Sequence, residues 1–329
     1  MTKQVRILPS GHEFVSEGNS TLLEAGLSAG LALGYGCSNG NCGECLAKVI
    51  SGEVEKIKHH DYKLSDQNLI LMCCNTALSD VVLEAIEAKD ASEIPQQQIT
   101  AKVKSVRIVN DNVALLHLKT PRTNRLRFLA GQHVQLGGND DPVAIHSVSS
   151  CPCDDMNLHF QIPRLAGDQF SDHVFNVVKR GDTVDVNGPG GSFVLDEKSD
   201  RPLMFIAWRT GFGPIKSLVE HAMSLDITES INVVWITKNI SDRYLDNLCR
   251  SWEDALDDFN YIPVDTDTID GAVDIEQIIM KKLNIESCNL TGYDFYIAGT
   301  KRLLDYCRDT LMEIGLPAEQ LTLDQIEHN

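Results

Sequence analysis

The chain has 329 residues, of which 43% are hydrophobic and 23% charged, as in an ordinary globular protein with two or three domains. Its formal net charge of -18 argues against nucleic acid or an anionic membrane as a partner. The longest apolar runs, such as residues 202–208, are strand-length and too short to span a bilayer. No signal peptide is recognisable, and ten cysteines in such a chain predict metal ligands and free thiols in a reducing cytoplasm.

The first 90 residues predict a small α+β module. Alternation of apolar and polar residues around the turn Pro9-Ser10-Gly11 predicts a β-hairpin. A short amphipathic helix follows, and Asn19 or Ser20 is expected to cap it. The predicted hairpin strands, helix and two later strands cover residues 5–8, 12–15, 22–31, 47–55 and 79–85.

A glycine-rich loop, YGCSNGNCGEC, lies at the centre of this module. It places Cys37, Cys42 and Cys45 with four and then two residues between them, and Cys73 follows in the segment LILMCC. This spacing is the plant-type ligand pattern of a [2Fe-2S] cluster. Glycines allow the backbone to wrap closely and to direct N–H groups at the sulfurs.

Other interpretations of these cysteines are possible from the residues alone. Four buried structural thiols are the plainest alternative, although chance rarely places three cysteines at this spacing among glycines. Zinc prefers two C-x-x-C pairs, and only one such pair is present. Cys74 is adjacent to Cys73 and is an alternative fourth ligand.

Two further changes of pattern follow a polar linker at residues 88–98. Short alternating strands with turn signals between them predict an antiparallel β-barrel. From Pro202, buried strands alternate with helix-like segments, which predicts a parallel α/β sheet with a ligand crevice at the carboxyl ends of its strands. The predicted barrel strands cover residues 101–109, 112–119, 131–137, 145–150, 157–162 and 183–195, and the parallel strands cover 203–208, 231–237 and 293–299.

The three modules in this order resemble the oxygenase-reductase branch of the ferredoxin–NADP reductase family. The matching stretches are YGCSNGNCGEC, ISGEVE, LMCC, AGQHVQL, FSDHVF, GPGGSF, TGFGPIKS and YIAGT. The resemblance implies a multidomain α+β and α/β protein with three parts: a β-grasp ferredoxin domain (1–90), a flavin-binding-like antiparallel β-barrel (98–197) and an NAD(P)-binding-like parallel α/β domain (200–329). It also selects Cys73 over Cys74 as the fourth cluster ligand.

The resemblance further implies an activity. In this family a hydride from a nicotinamide reaches FAD, which passes single electrons to the cluster and on to a partner. The implied cofactors are a [2Fe-2S] cluster, FAD and NAD(P)H, and the implied partner is an oxygenase or dehydratase component. The residues expected to bind the flavin and the nicotinamide are His146, Ser147, Arg164, Gly191, Ser192, Phe193, Thr210 and Gly211.

Several positions depart from the family pattern. An R-x-Y-S motif that grips the flavin is replaced by Ala144-Ile145-His146-Ser147, and a second arginine falls at Pro163, where the neighbouring Arg164 is expected to substitute. The family's G-G-T-G turn is Trp208-Arg209-Thr210-Gly211 here. These changes support an alternative function, a flavin-free electron relay, docking or redox-sensing subunit of a larger complex.

The remaining cysteines and histidines carry weaker signals. We expect Cys151 and Cys153 to be free thiols, because a C-x-C spacing makes an internal disulfide awkward. Cys249, Cys288 and Cys307 are expected to be core or surface thiols. His59 and His60 predict a surface turn.

Overall fold

A computed structural model describes residues 2–18, 20–88, 90–138, 141–228, 230–266 and 290–326. Cys288 and Asn19 lie outside the described residues. The described part contains three main sheets and one two-stranded sheet.

The first sheet has five strands in the order β2-β1-β7-β3-β5, with β1 antiparallel to β2 and parallel to β7. A separate ribbon pairs β4 with β6. Leu22, Leu23 and Leu27 of α1 are buried in one hydrophobic core with Val5 and Leu83 of the sheet. The elements are β1 (Thr2–Leu8), β2 (Glu13–Glu17), α1 (Leu22–Ser28), β3 (Leu46–Ser51), β4 (Val54–Lys56), β5 (Leu69–Leu71), β6 (Asn75–Ala77) and β7 (Val81–Ala85).

Two local expectations in this module are wrong. The helix is capped by Thr21, not by Ser20, because the Thr21 hydroxyl accepts the Glu24 N–H at 3.1 Å. The single strand predicted over 47–55 is divided between β3 and β4, which belong to different sheets. Gly52 has φ +90° at the break, and a Cβ there would lie 2.2 Å from the Asp80 carbonyl oxygen, so the turn requires glycine.

The second sheet has six antiparallel strands in the order β11-β10-β13-β8-β9-β12. The strands at its two edges approach each other, and the Ser149 N–H donates to the His159 carbonyl at 2.8 Å just beyond β11, so the sheet nearly closes into the predicted barrel. Short helix α2, which the sequence analysis did not predict, covers one end. The elements are β8 (Gln97–Asn110), β9 (Val113–Lys119), β10 (His133–Leu136), β11 (Ala144–Ser147), β12 (Asn157–Pro163), α2 (Gln169–Asn176) and β13 (Thr183–Gly190).

The third sheet is parallel, as expected, with the strand order β16-β15-β14-β17-β18. Strands β16 and β18 at its edges were not predicted. A core of Phe205, Phe212, Trp235 and Tyr296 lies on one face of this sheet. The elements are β14 (Leu203–Trp208), α3 (Phe212–Leu225), β15 (Ile231–Thr237), α4 (Asp246–Ala255), β16 (Phe259–Asp265), β17 (Asp294–Gly299), α5 (Lys301–Glu313) and β18 (Leu321–Gln325).

The barrel is joined to the parallel sheet by the first turns of α3. Lys216 donates to the Ser149 carbonyl at 3.0 Å, and the Ser217 hydroxyl donates to the Ser150 carbonyl at 2.7 Å. Both side chains are buried. This junction sets the carboxyl ends of β14 and β15 beside β11 and β12, and the cavities described below lie between them.

Candidate electron-transfer site

The loop between α1 and β3 carries three of the predicted cluster ligands. Cys37 and Cys45 are buried, whereas Cys42 is exposed at the surface. Gly40 and Gly43 have φ values of +84° and +85°, a backbone conformation that favours glycine. The loop therefore presents the Cys42 thiol to solvent and keeps the thiols of Cys37 and Cys45 buried.

The segment after β4 covers this loop. A Cβ at Gly40 would lie 2.5 Å from the Cβ of His60, and one at Gly43 would lie 2.4 Å from the Tyr62 ring. Side chains at these two glycines would displace the cover. His60 is thus packed against the cysteine loop rather than standing clear of it, unlike the surface turn predicted for residues 59 and 60.

The four predicted ligands form two sulfur pairs. The Cys42 N–H donates to the Cys37 sulfur at 3.2 Å, and the Cys37 N–H donates to the Cys42 sulfur at 3.4 Å. The Cys45 and Cys73 sulfurs are 3.2 Å apart. Among the described residues, no three His, Cys, Asp or Glu side chains converge as they would around a single metal ion. Two pairs of thiolates match the two irons of a [2Fe-2S] cluster, so the donor set fits that group.

Hydrogen bonds lower the pKa of Cys37 and Cys45, whereas burial raises the pKa of Cys42 and the hydrogen bond with Cys45 raises that of Cys73. Burial raises the pKa of Cys37, but N–H donors including those of Asn39 and Asn41 outweigh it, so the pKa lies below its ordinary value. The hydrogen bond from Cys73 lowers the pKa of Cys45 to about 7. Because the thiolate is the form that binds iron, the donors to Cys37 and Cys45 favour the ligand form of these two cysteines.

Cys73 and Cys74 occupy one 3₁₀ turn, Met72–Cys74, and both are buried. Only the Cys73 sulfur is paired with Cys45, while the Cys74 sulfur is 3.6 Å from Cys73. Cys74 instead packs on the loop backbone, where a Cβ at Gly40 would lie 2.8 Å from its sulfur. This geometry favours Cys73 as the fourth ligand.

A cavity of about 190 Å³, named here the Ser147 cavity, lies between the barrel and the parallel sheet. Three of the predicted flavin or nicotinamide residues line it: His146, Ser147 and Thr210. The His146 ring is buried and tilted against Phe170, with 5.1 Å between the ring centroids, so one face packs in the barrel core. The complete lining is His133, Ile145, His146, Ser147, Gln161, Thr210, Gly213, Pro214, Asp324, Gln325 and Ile326.

Two polar groups of this cavity were not identified from the sequence. Burial raises the pKa of Asp324 to about 6, against a smaller opposite effect of its hydrogen bond with Ser147. The Gln161 Nε2 atom is buried with no hydrogen-bond partner among the described residues, while its Oε1 accepts the Tyr244 hydroxyl. Sequence analysis had no signal for Asp324, because its strand, β18, was not predicted either.

Several predicted site residues lie outside the lining of the Ser147 cavity. Gly191 packs on the ring of His133, where a Cβ would lie 2.8 Å from Nδ1, and Phe193 is buried at an angle to Tyr296. Ser192 lies between them and is exposed. Gly211 is buried, and a Cβ there would lie 2.5 Å from the Ala298 carbonyl oxygen. Gly191 thus adjoins the cavity through the lining residue His133, and Gly211 directly follows the lining residue Thr210.

Arg164 lines a second cavity, of about 240 Å³, named here the Arg209 cavity. It is not brought together with His146 and Ser147. This cavity shares Thr210 and Ile326 with the Ser147 cavity, so the two are neighbours. Sequence analysis assigned no partner to Arg164, because the residues that meet it come from different segments of the chain.

Cys151 and Cys153 are joined by a disulfide, so the expectation of two free thiols is wrong. The Pro152 turn brings their Cα atoms to 5.2 Å, within the range that disulfides span. Cys249 and Cys307 are both buried, which agrees with the expectation of core thiols.

Three family models match the chain in the order of its sheets. They are the 2Fe-2S iron-sulfur cluster binding domain over residues 5–79, the oxidoreductase FAD-binding domain over 100–195 and the oxidoreductase NAD-binding domain over 205–309. Together they cover the cysteine loop, the barrel and most of the parallel sheet.

Full-length relatives share this organisation. The chain is 28% identical over 330 residues to the CDP-6-deoxy-L-threo-D-glycero-4-hexulose-3-dehydrase reductase of Yersinia pseudotuberculosis, with 98% of each chain covered. It is 28% identical over 329 residues to reductase component 2 of terephthalate 1,2-dioxygenase from Comamonas, covering 98% of this chain and 97% of the relative.

Solved structures show the same fold. The ferredoxin reductase in carbazole 1,9a-dioxygenase aligns with a TM-score of 0.60 at 23% identity, covering 99% of this chain and 98% of that one. An Amycolatopsis cytochrome P450 reductase aligns with a TM-score of 0.63 at 21% identity, covering 98% of both chains. In the described part of the chain, no helix has the length and apolar character needed to cross a membrane.

Proposed function

Since the chain belongs to the oxygenase-reductase branch of the ferredoxin–NADP reductase family, we propose that it oxidises NAD(P)H and delivers single electrons through a [2Fe-2S] cluster to a partner protein. Two relatives of the same length are by name a dehydrase reductase and a dioxygenase reductase component. The proposed partner is accordingly an oxygenase or dehydratase component. The proposal includes a cytoplasmic location and three domains, at residues 1–90, 98–197 and 200–329.

The pairing of Cys37 with Cys42 and of Cys45 with Cys73 carries this proposal. A [2Fe-2S] cluster, when bound, accepts and releases one electron at a time. The chain supplies four thiolates, N–H donors to the sulfurs and a covering segment that limits water. Exposure of Cys42 gives a surface at which a partner can approach the cluster.

The Ser147 cavity is the proposed place of the flavin ring. FAD, when bound, accepts two electrons from NAD(P)H and releases them singly, which a one-electron cluster cannot do. The Ser147 hydroxyl and the Gln161 amide offer hydrogen bonds, and the unpartnered Gln161 Nε2 fits the carbonyl edge of a ring. Pro214 of α3 and Ile326 supply apolar contacts on the side of the parallel sheet.

One observation favours the alternative, a flavin-free relay or docking subunit. No lysine or arginine is present among the described residues that line the Ser147 cavity, and Asp324 adds a carboxyl group. Charge-assisted bonds to a flavin phosphate contribute about 1.5–3 kcal/mol each, so their loss weakens flavin binding.

Flavin release separates the two functions. Purified protein is acid-denatured, before and after incubation with FAD, and the fluorescence of the released flavin is compared with its iron content. The proposed reductase releases FAD and reduces an artificial acceptor with NAD(P)H. A protein that contains iron but retains no flavin even after incubation, and reduces no acceptor with NAD(P)H, is the relay instead.

A further inference from the structure

Three cations from three different loops converge on the Arg209 cavity. Arg164 follows β12, Arg209 follows β14 and Lys238 follows β15, and all three are exposed. None of them has an ion-pair partner within 4.0 Å among the described residues, although the chain carries 47 acidic and 29 basic residues. Three cations without an ion pair therefore line one cavity of an acidic protein.

Arg209 is held in an unusual backbone conformation. Its φ is +48°, which L-residues other than glycine rarely adopt, and such conformations persist only where the surrounding structure imposes them. The Trp235 indole N–H donates to the Arg209 carbonyl at 2.9 Å, and neighbouring Gly211 packs on Ala298. The chain thus keeps a glycine-type turn and adds a guanidinium to it.

The Arg209 side chain is directed along the cavity wall. Its Cζ lies 5.5 Å from the centroid of the Trp208 ring, a cation–π distance. Arg164 is oriented in the same way on the barrel side, with its Cζ 4.3 Å from the Phe175 ring centroid. These cation–π contacts hold both guanidinium groups beside aromatic rings, and the exposed groups retain N–H donors for a ligand.

The charge and place of this cavity indicate its ligand. Ligands of parallel α/β sheets bind at the carboxyl ends of the strands, where Arg209 and Lys238 lie. Asp242 is the single acidic residue in the described lining, so the three cations leave a net charge of +2 (3 - 1). A dinucleotide pyrophosphate carries two negative charges, and guanidinium groups bind phosphate oxygens in pairs.

We propose that Arg164, Arg209 and Lys238 bind the pyrophosphate of the nicotinamide dinucleotide through their side chains. The family's G-G-T-G turn offers glycines at the positions of Trp208 and Arg209, whereas this chain binds the same group by charge. The inference rests on the proposed function, because it names the residues that hold the electron donor. Arg209 is a binding residue here, not an obstruction.

Arg209→Gly separates these two roles. It restores glycine at a positive φ, so the fold is expected to be slightly more stable, and it removes one guanidinium. Loss of a charge-assisted bond is expected to raise the KM for NAD(P)H and the Kd for NAD(P)⁺ about 10- to 100-fold, with kcat at saturation little changed. If Arg209 obstructs the site, the same substitution lowers both constants and overturns the proposal.

The other two cations provide independent tests. Arg164→Ala and Lys238→Ala are expected to raise the same constants, and added salt is expected to weaken dinucleotide binding less in each variant than in the native protein. Arg122→Ala is the matched control, because Arg122 is an exposed barrel arginine outside the described cavity linings. Unchanged constants in all three cavity variants contradict the proposal.

A flavin pyrophosphate has the same chemistry, so flavin content is measured in every variant. Lower FAD content with an unchanged Kd for NAD(P)⁺ assigns the cavity to FAD and rejects the proposal. The proposed function fails if the native protein neither oxidises nor binds NAD(P)H. That result rejects the inference as well, and it differs from the outcomes above because it is seen without any substitution. Native protein that oxidises NAD(P)H while the variants match it rejects the inference alone.

Discussion

The neighbouring thiols of Cys73 and Cys74 differ in which sulfur they meet. Cys73 contacts the Cys45 sulfur at 3.2 Å, whereas Cys74 packs on the cluster loop at Gly40. The pKa values of both thiols are raised, that of Cys73 by its hydrogen bond with Cys45 and that of Cys74 by burial, so protonation does not distinguish them. The difference between the proposed ligand and its neighbour is therefore one of position.

We expect Cys73→Ser to lose most of the cluster, because one iron then keeps a single thiolate at this side. Cys74→Ser is its matched control and is expected to retain visible absorbance, iron and sulfide, since serine nearly preserves the side-chain volume. Both variants are purified anaerobically and analysed for metal content. Bleaching of the Cys74 variant alone would assign the fourth ligand to Cys74 instead of Cys73.

Asp324 is the residue whose ionisation is most altered in the Ser147 cavity. Its folded-state pKa of about 6 lies above the ordinary 3.8, because burial disfavours the carboxylate. Between these values the folded state binds more protons than the unfolded state. The free energy of unfolding therefore falls as the pH rises from about 4 to about 6, and this contribution is fully present only below about pH 4.

Asp324→Asn is expected to flatten this part of the pH dependence, because the amide does not titrate. Urea unfolding of the native protein and the variant across that pH range measures the difference. Asp257→Asn, at an exposed position, is the control and is expected to follow the native curve. Parallel curves for the Asp324 variant and native protein would show that this carboxyl group does not titrate anomalously.

Helix α1 connects the first β-hairpin to Cys73, the proposed fourth ligand. Thr21 and Glu24 form a capping box, in which each side chain accepts the backbone N–H of the other at 3.1 Å. The helix packs against the 3₁₀ turn Met72–Cys74. Loss of the cap is therefore expected to destabilise the turn that carries Cys73.

Thr21→Ala is expected to lower the free energy of unfolding by about 1 kcal/mol and to speed cluster loss on mild heating. Ser20→Ala is the control, because the Ser20 hydroxyl donates to the Glu17 carbonyl and caps no helical N–H. The decay of visible absorbance with time measures cluster loss. Equal decay rates in the two variants would show that the helix cap does not affect retention of the cluster.

At the scale of the whole molecule, the barrel holds the cluster module through the segment before β10. The Arg125 N–H donates to the Gly36 carbonyl at 3.1 Å, next to Cys37, and the Arg127 guanidinium donates to the Ala32 carbonyl at 2.9 Å. Tyr35 is buried between these contacts, with its pKa raised by burial. These contacts between the barrel and the cluster module fix the distance over which electrons pass from the barrel to the cluster.

Arg127→Ala is expected to slow electron transfer to a one-electron protein acceptor at the cluster while leaving ferricyanide reduction by NAD(P)H nearly unchanged. Arg127→Lys keeps a donor at this position and is expected to restore part of the rate. Arg107→Ala, an exposed substitution in β8, is the control. A proportional fall of both activities in the Arg127 variant would show a general effect on folding.

The sequence predicted the parts of this protein that depend on near neighbours. The Cys37 loop was identified because ligand spacing and glycine turns are local requirements, and the main strands because alternation follows the backbone period. Short or weakly patterned elements, such as α2 and β18, were missed. The break at Gly52 was also missed, because the approach of Asp80 that imposes it comes from another segment.

Only the tertiary structure decided which distant residues act together. It set Arg164 beside Arg209 and Lys238, buried Asp324 against Ser147, and joined Cys151 to Cys153. The groups at the cavities come from loops whose spacing along the chain carries no information about their meeting. Packing between the barrel and the parallel sheet determines those contacts, and with them the charge and the acidity of the proposed cofactor sites.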